Sequence, residues 1–139
     1  MGGMKILFVC EYNACRSQMA EGLARAILSE GCSLYSAGLY PGQLNEMTVE
    51  VMQEIGIDLS GQYSKTLAKM KDIFFDLVVV LAEPAWKAVQ EIQTKQRVLW
   101  HFDDPVAKPG SPEELKEKIR VVRDELKERI QQLAQRKGK

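Results

Sequence analysis

Residues 6–17 read ILFVCEYNACRS, and this stretch decides the expected fold. Its first four residues are apolar, which is typical of a short buried strand. A polar loop follows from Cys10 to Ser17, and the Ala- and Glu-rich stretch from Gln18 to Glu30 has the composition of a helix. A strand, a tight loop and a helix in succession are typical of the first unit of an α/β protein.

Three further apolar runs predict the remaining strands, at residues 33–36, 76–81 and 97–100. The run at 76–81 is rich in valine and apolar on both faces, as expected for a central parallel strand that is covered on both sides. Helical spacing appears between Glu46 and Ile55, and a long helix begins at about Pro112. This alternation predicts a single doubly wound α/β domain over residues 1–139, in which ligands bind at the carboxyl ends of the strands.

Composition and charge exclude several classes of protein. The 139 residues carry 19 basic and 19 acidic side chains, so neither nucleic acid nor an anionic membrane is an expected partner. Three cysteines and one histidine are too few for a disulfide framework or a structural zinc site, and no metal is expected. The first apolar run is too short for a signal peptide or a membrane span, so we expect a cytoplasmic location.

The loop has the composition of an oxyanion site. Backbone N–H groups between a strand and a helix can converge on one anion, and the helix N-terminus adds partial positive charge. The residues expected to form this cradle are Glu11, Tyr12, Asn13, Ala14, Cys15 and Arg16.

Three side chains of the loop predict nucleophilic chemistry. The field of the amides favours the thiolate of Cys10, which is the reactive form of a cysteine. Arg16 can donate two hydrogen bonds to a tetrahedral anion, and Ser17 can donate one to the sulfur. The loop therefore predicts a thiol enzyme that attacks a phosphate-like oxyanion through Cys10.

At this point the sequence resembles the superfamily of low-molecular-weight protein tyrosine phosphatases and arsenate reductases. The resemblance covers most of the chain, and its motifs are CEYNACRS at 10–17, QMAEG at 18–22, SAG at 36–38, GIDLS at 56–60 and DP at 104–105. It implies a three-layer fold with a four-stranded parallel sheet. It also implies Cys10 as nucleophile, Arg16 as transition-state clamp, Ser17 as thiolate stabiliser, Asn13 as loop support and Asp104 as general acid.

Two segments are more similar to the reductase branch, namely QMAEG at 18–22 and WHFDDP at 100–105. The thioredoxin-coupled reductases carry a redox pair of cysteines after the third strand, whereas residues 81–86 of this chain read LAEPAW. The resemblance thus implies an arsenate reductase that uses an external thiol, such as glutathione or a thioredoxin or glutaredoxin system, and no other cofactor. A tyrosine phosphatase and a non-catalytic oxyanion-binding protein are the alternatives.

Two roles are open for each of the remaining cysteines. Cys15 is either a redox partner that protects Cys10 from overoxidation or a small buried loop residue. Cys32 is expected in the core near the second strand, with a redox role as the alternative.

The resemblance also implies a potassium site bordered by Asn13, Glu21 and Ser36. Relatives carry an acidic residue next to Ser64, where this chain has Lys65. We therefore hypothesise that the ammonium of Lys65 replaces the cation.

Overall fold

The computed structural model describes residues 3–28 and 31–137, and the side chains of residues 3–28 and 31–135. The first predicted strand forms β1 (Lys5–Cys10), which lies inside a four-stranded parallel sheet of order β2-β1-β3-β4. The other strands are β2 (Ser33–Gly38), β3 (Leu77–Val80) and β4 (Arg97–Leu99). The predicted parallel α/β fold is confirmed.

Three α-helices pack on one face of the sheet. They are α1 (Arg16–Ile27), α2 (Glu46–Gln53) and α3 (Pro112–Lys137). Three short 3₁₀ helices lie along the rest of the chain, at Leu67–Met70, Glu83–Ala85 and Ala88–Glu91. They contribute buried residues to the opposite face, so helical elements cover the sheet on both sides.

Alternation along β1 divides the core in two. Ile6 and Phe8 point towards α1 and α3, whereas Leu7 and Val9 point towards the 3₁₀ helices, and all four are fully buried. A strand buried on both faces needs an unbroken apolar run, because neighbouring residues of a strand point to opposite faces. This requirement explains why the run could be identified from the sequence.

Two element boundaries differ from the predictions in ways that shape the loop. β2 continues to Gly38, two residues further than predicted, because its parallel pairing with β1 extends to Cys10 opposite Gly38. A Cβ atom at Gly38 would lie 2.7 Å from the backbone nitrogen of Asn13, so glycine permits this close approach. α1 begins at Arg16, two residues before its predicted start, which places Arg16 and Ser17 in its first turn.

The helix ends lie close to the predicted bounds. α1 ends at Ile27, and the predicted end at Glu30 lies outside the described residues. α2 stops at Gln53, two residues before the predicted end, and Gly56 follows with φ of 78°. Ser111 and Glu114 cap α3 reciprocally, with N···O distances of 2.9 and 3.2 Å. Within residues 3–28 and 31–137, no helix has both the length and the hydrophobicity that a membrane span requires.

Candidate oxyanion site

The loop between β1 and α1 turns sharply at Asn13. Its φ of 53° lies in the left-handed region, where among the residues at 3–28 and 31–137 only two glycines otherwise have positive φ. Asparagine tolerates this conformation better than most residues because its side chain can bond to nearby backbone. The turn leaves Cys10 at the end of β1 and Arg16 at the start of α1.

The side-chain amide of Asn13 is held by hydrogen bonds at both its oxygen and its nitrogen. Its Oδ1 accepts from the backbone N–H of Lys65 at 2.8 Å and from Nε2 of Gln18 at 3.0 Å. Its Nδ2 donates to the hydroxyl of Ser17 at 2.7 Å. Because Asn13 is fully buried, these bonds hold both the loop and the neighbouring hydroxyl in one arrangement.

That arrangement decides the direction of the bond between Ser17 and Cys10. The sulfur of Cys10 lies 2.9 Å from Oγ of Ser17. Since Oγ already accepts a hydrogen bond from Nδ2 of Asn13, the hydroxyl hydrogen of Ser17 is available to point at the sulfur. Ser17 therefore donates to the sulfur of Cys10, which is only 2% exposed.

Arg16 is buried beside the nucleophile and is held in place by two acceptors. Nη1 donates to the carbonyl oxygen of Phe102 at 2.7 Å, and Nη2 lies 3.4 Å from Oε1 of Glu11. The carbonyl contact ties the first turn of α1 to the segment that precedes the predicted general acid. The carboxylate of Glu11 balances the charge of the guanidinium in this state.

A pocket of about 250 Å³ opens above the loop. Its walls are formed by Cys10, Tyr12, Ala14, Cys15, Arg16, Gly42, Gln43, Asp104 and Val106. The structure thus brings the predicted nucleophile, clamp and general acid to one cavity. Oδ1 of Asp104 accepts from the backbone N–H of Val106 at 3.0 Å, which orients the carboxylate within its turn.

Two tyrosines stand at this end of the loop. The rings of Tyr12 and Tyr40 lie 5.6 Å apart at an angle of 42°, and each is about half exposed. A Cβ atom at Gly42 would lie 2.6 Å from the carbonyl oxygen of Tyr12, so the chain passes close to the loop here. The pair forms an aromatic surface next to the pocket.

Cys15 lines the same pocket but is a neutral thiol. Burial raises its pKa to about 12, and the hydroxyl of Thr48, which donates to its sulfur at 3.0 Å, only partly offsets this. Cys15 would have to lose that proton before it could form a disulfide with Cys10.

Cys32 lies near the opposite end of the strands from Cys10. It precedes β2, whose first residue Ser33 pairs with Lys5, whereas Cys10 pairs with Gly38 at the other end of the strand. Five residues of parallel strand separate these levels, a distance of roughly 16 Å. Cys32 therefore does not share the site of the nucleophile.

Behind the loop, the buried carboxylate of Glu21 contacts three side chains. It accepts from the hydroxyl of Ser36 and from Arg25, and Nζ of Lys65 lies 3.7 Å from Oε1. Burial lowers the pKa of Lys65, while the charge of Glu21 opposes this shift. The ammonium points inwards, since the side chain is 12% exposed, and it donates to the carbonyl oxygen of Tyr63 at 2.7 Å. Positive charge from the protein itself already faces Glu21, so these residues do not fit a further cation.

A pair of glutamines supports the loop, and the sequence alone does not predict this role. Nε2 of Gln18 donates to the carbonyl oxygens of Asn13 and Tyr63, both at 2.9 Å. Gln62 in turn donates to Oε1 of Gln18 at 2.6 Å. In the sequence, Gln18 stands out only as part of the motif at 18–22, and nothing around Gln62 indicates a contact 44 residues away.

His101 connects two segments beside the site. Its Nδ1 accepts from the backbone N–H of Glu83 at 3.2 Å, which places the proton of the neutral ring on Nε2. Nε2 lies 3.1 Å from the carboxylate of Asp103, whose side chain is otherwise exposed. His101 thus links the turn of Asp104 to the segment after β3.

Comparison with known proteins agrees with this geometry. Residues 5–139 match the family described as Low molecular weight phosphotyrosine protein phosphatase. The arsenate reductase of Halalkalibacterium halodurans is 41% identical over 131 residues, which cover 94% of each chain. A solved arsenate reductase in a phosphate-binding state is 32% identical with a TM-score of 0.75, covering 96% of this chain and 98% of that one.

A phosphatase of the same fold is also similar. The low molecular weight protein tyrosine phosphatase of T. tengcongensis is 26% identical with a TM-score of 0.80, covering 96% of this chain and 99% of that one. Relatives of both kinds are enzymes, which argues against the alternative of a non-catalytic binding protein. The chain therefore belongs to the low-molecular-weight phosphotyrosine protein phosphatase family, and it is an enzyme that attacks a tetrahedral oxyanion with the sulfur of Cys10.

Proposed function

We propose that the enzyme reduces arsenate to arsenite and takes both electrons from an external thiol. The observation that carries this proposal is the placement of the cysteines. Cys32 lies near the other end of the strands from Cys10, and Cys15 is a buried neutral thiol hydrogen-bonded to Thr48. Residues 81–86 run beside the segment that leads to Asp104, because the backbone N–H of Phe102 donates to the carbonyl oxygen of Leu81, yet they contain no cysteine.

The first step is an attack of the Cys10 thiolate on arsenic. The arsenate oxygens lie on the loop amides and on Arg16, which exchanges Glu11 for the substrate. A sulfur–arsenic bond forms, and one arsenic–oxygen bond breaks. The leaving oxygen receives a proton from Asp104 and departs as water.

The second step transfers two electrons to arsenic. The sulfur of an external thiol attacks the sulfur of Cys10, and the sulfur–arsenic bond breaks with its electron pair left on arsenic, which departs as arsenite. Cys10 and the thiol are then joined in a mixed disulfide. A second thiol attacks the external sulfur of that disulfide and regenerates the Cys10 thiolate. In total, arsenate and two thiols give arsenite, one disulfide and water.

The test is arsenite formation from arsenate with glutathione, with glutathione plus glutaredoxin, or with thioredoxin and its reductase. We expect arsenite only when a thiol is added, none from the Cys10→Ser variant, and unchanged turnover from the matched Cys32→Ser variant. One full turnover without added thiol would show an internal relay. No arsenite with any of the three reductants would overturn the proposal.

Hydrolysis of aryl phosphomonoesters is a second candidate, favoured by the aromatic surface of Tyr12 and Tyr40. The first step is the same, with Asp104 protonating the leaving phenolate. Asp104 then acts as a base and activates water to release phosphate from Cys10. Turnover of phenyl phosphate without any thiol, faster than arsenate reduction with thiol, would make this the main activity.

A further inference from the structure

A second, larger cleft adjoins the pocket of Cys10. It measures about 640 Å³ and lies between the turn at residues 103–108 and the exposed side of α3. Its walls include Asp103 and Lys108 on the turn, and Lys118, Val121 and Val122 on the helix. Asp104 lines this cleft as well as the smaller pocket, so its carboxylate stands where the two cavities meet.

The sizes of the two cavities suit different ligands. Sites for organic ligands usually measure about 300–1,000 Å³, a range that includes the larger cleft and not the pocket of Cys10. The smaller pocket suits a tetrahedral anion but does not also hold a peptide-sized reductant. A reductant that approaches Cys10 has room for the rest of its structure in the neighbouring cleft.

The charges of the cleft favour a ligand with carboxylates. Neither Lys108 nor Lys118 forms a hydrogen bond or an ion pair with any other residue in the ranges 3–28 and 31–135. The charge of Lys118 contributes to the lowered pKa of Glu114, but the carboxylate of Glu114 is hydrogen-bonded to the backbone N–H of Ser111 and not to Lys118. Both ammonium groups can therefore bind an incoming anion.

Other residues of the cleft walls can bind further groups of the same ligand. Asp103 contacts His101 at 3.1 Å through Oδ1, yet its side chain is almost fully exposed, so its carboxylate is accessible to a ligand ammonium. Val121 is half exposed and forms an apolar wall. One small molecule with two carboxylates, one ammonium and a short apolar stem would engage all of these groups.

We propose that this cleft binds the reducing co-substrate, and that the co-substrate is a small peptide thiol with two carboxylates and one ammonium, the chemical class of glutathione. This inference rests on the proposed arsenate reduction. Lys108 and Lys118 bind the carboxylates, and the thiol extends past Asp104 towards Cys10. Asp104 has lost its proton to the departing water, so it accepts the proton of the thiol before the sulfur attacks Cys10.

The experiment compares two thiols in the arsenite assay. Glutathione carries the two carboxylates, and 2-mercaptoethanol carries no charge. In the Lys108→Ala/Lys118→Ala double variant, we expect the KM for glutathione to rise roughly three- to tenfold, as for the loss of two exposed ion pairs. The KM for 2-mercaptoethanol should change less than twofold. Both lysines are exposed, and circular dichroism checks that the variant is folded.

The matched control is Lys127→Ala, which removes an exposed lysine from the opposite side of α3, two and a half turns from Lys118. Its KM for glutathione should equal that of the wild type. Equal KM changes for the two thiols, or none for either, would overturn the cleft site and leave arsenate reduction intact. Turnover with thioredoxin or glutaredoxin alone would do the same. No turnover with any thiol would overturn the proposed function itself.

Discussion

Two regions of the molecule use charged side chains for opposite purposes. Behind the loop, Glu21 is 3% exposed and is surrounded by Ser36, Arg25 and Lys65. At the contact between α2 and α3, Glu54 is exposed to solvent and accepts from Arg120 at 2.8 Å and from Arg123 at 3.0 Å.

The difference between these regions is what each network holds in place. Glu21 and Lys65 support a loop whose left-handed residue and buried polar groups are unfavourable on their own. Their contribution is therefore to keep the site in its geometry. Glu54 joins two helices whose apolar faces already pack together, so it contributes only to the stability of the fold. Changes at the first network should appear in catalysis, and changes at the second should appear in thermal unfolding.

The largest effect is expected at Asp104, where the site meets the substrate. Asp104→Ala should slow the hydrolysis of phenyl phosphate by roughly two to four orders of magnitude, as for the loss of a general acid. The midpoint of thermal unfolding should change little, because the carboxylate bonds only within its own turn. Steady-state kinetics and thermal melts of the same preparation test both statements. A fully active variant would remove Asp104 from the chemistry.

A smaller effect is expected at Lys65, one step behind the loop. Lys65→Met keeps the length of the side chain but removes the charge facing Glu21, so turnover should fall roughly tenfold, as for a buried charge that loses one partner. If the ammonium of Lys65 replaces a cation at Glu21, as hypothesised from the sequence, potassium should partly restore the variant and leave the wild type unchanged. Turnover rates measured in potassium chloride and in tetramethylammonium chloride distinguish a specific effect of potassium from an effect of ionic strength.

The matched control for Lys65 is Lys69→Met, an exposed lysine of the following 3₁₀ helix. It should respond to neither salt. Stimulation of the wild type by potassium would contradict the replacement of the cation by Lys65.

The smallest effect is expected at Glu54 and should be confined to stability. The two arginines lower its pKa from 4.5 to about 2, with the hydrogen bond from Arg120 as the main cause. A carboxyl with a depressed folded-state pKa stabilises the protein fully above pH 4.5 and loses this contribution as the pH falls towards 2. The melting temperature of the wild type should therefore fall more steeply across this window than that of Glu54→Gln.

At neutral pH the Glu54→Gln variant should melt less than about 4 °C below the wild type, since exposed ion pairs contribute little. Its turnover should match that of the wild type. Parallel melting curves from pH 4.5 to 2 would show that the two arginines do not depress this pKa.

The sequence predicted the first half of the site because its signals are local. The apolar run at 6–9, the loop and the helix follow one another within about twenty residues, and a strand buried on both faces allows few other patterns. The boundary errors came from longer-range effects. β2 continues to Gly38 because β1 is there to pair with it, which the residues of β2 alone do not show.

Other features of the site depend on contacts between distant segments. Gln62 reaches Gln18, Thr48 reaches Cys15, and the carbonyl oxygen of Phe102 reaches Arg16, across 44, 33 and 86 residues. The last of these uses a backbone atom, whose position does not depend on the type of residue that carries it. The 3₁₀ helices at Leu67–Met70 and Ala88–Glu91 also escape prediction, since elements of four residues have no periodicity to detect. Only the helix at Glu83–Ala85 has a local signal, because Pro84 favours the first turn of a helix.

The contact between Arg16 and Glu11 also affects how the enzyme should respond to salt. Because the guanidinium already faces a carboxylate at 3.4 Å, an arriving oxyanion replaces one anion with another instead of meeting an uncompensated cation. Binding is then an exchange of counter-ions, in which the released carboxylate turns to solvent. Such an exchange depends less steeply on ionic strength than the filling of a bare positive site, so substrate affinity should remain nearly constant as salt rises to physiological levels.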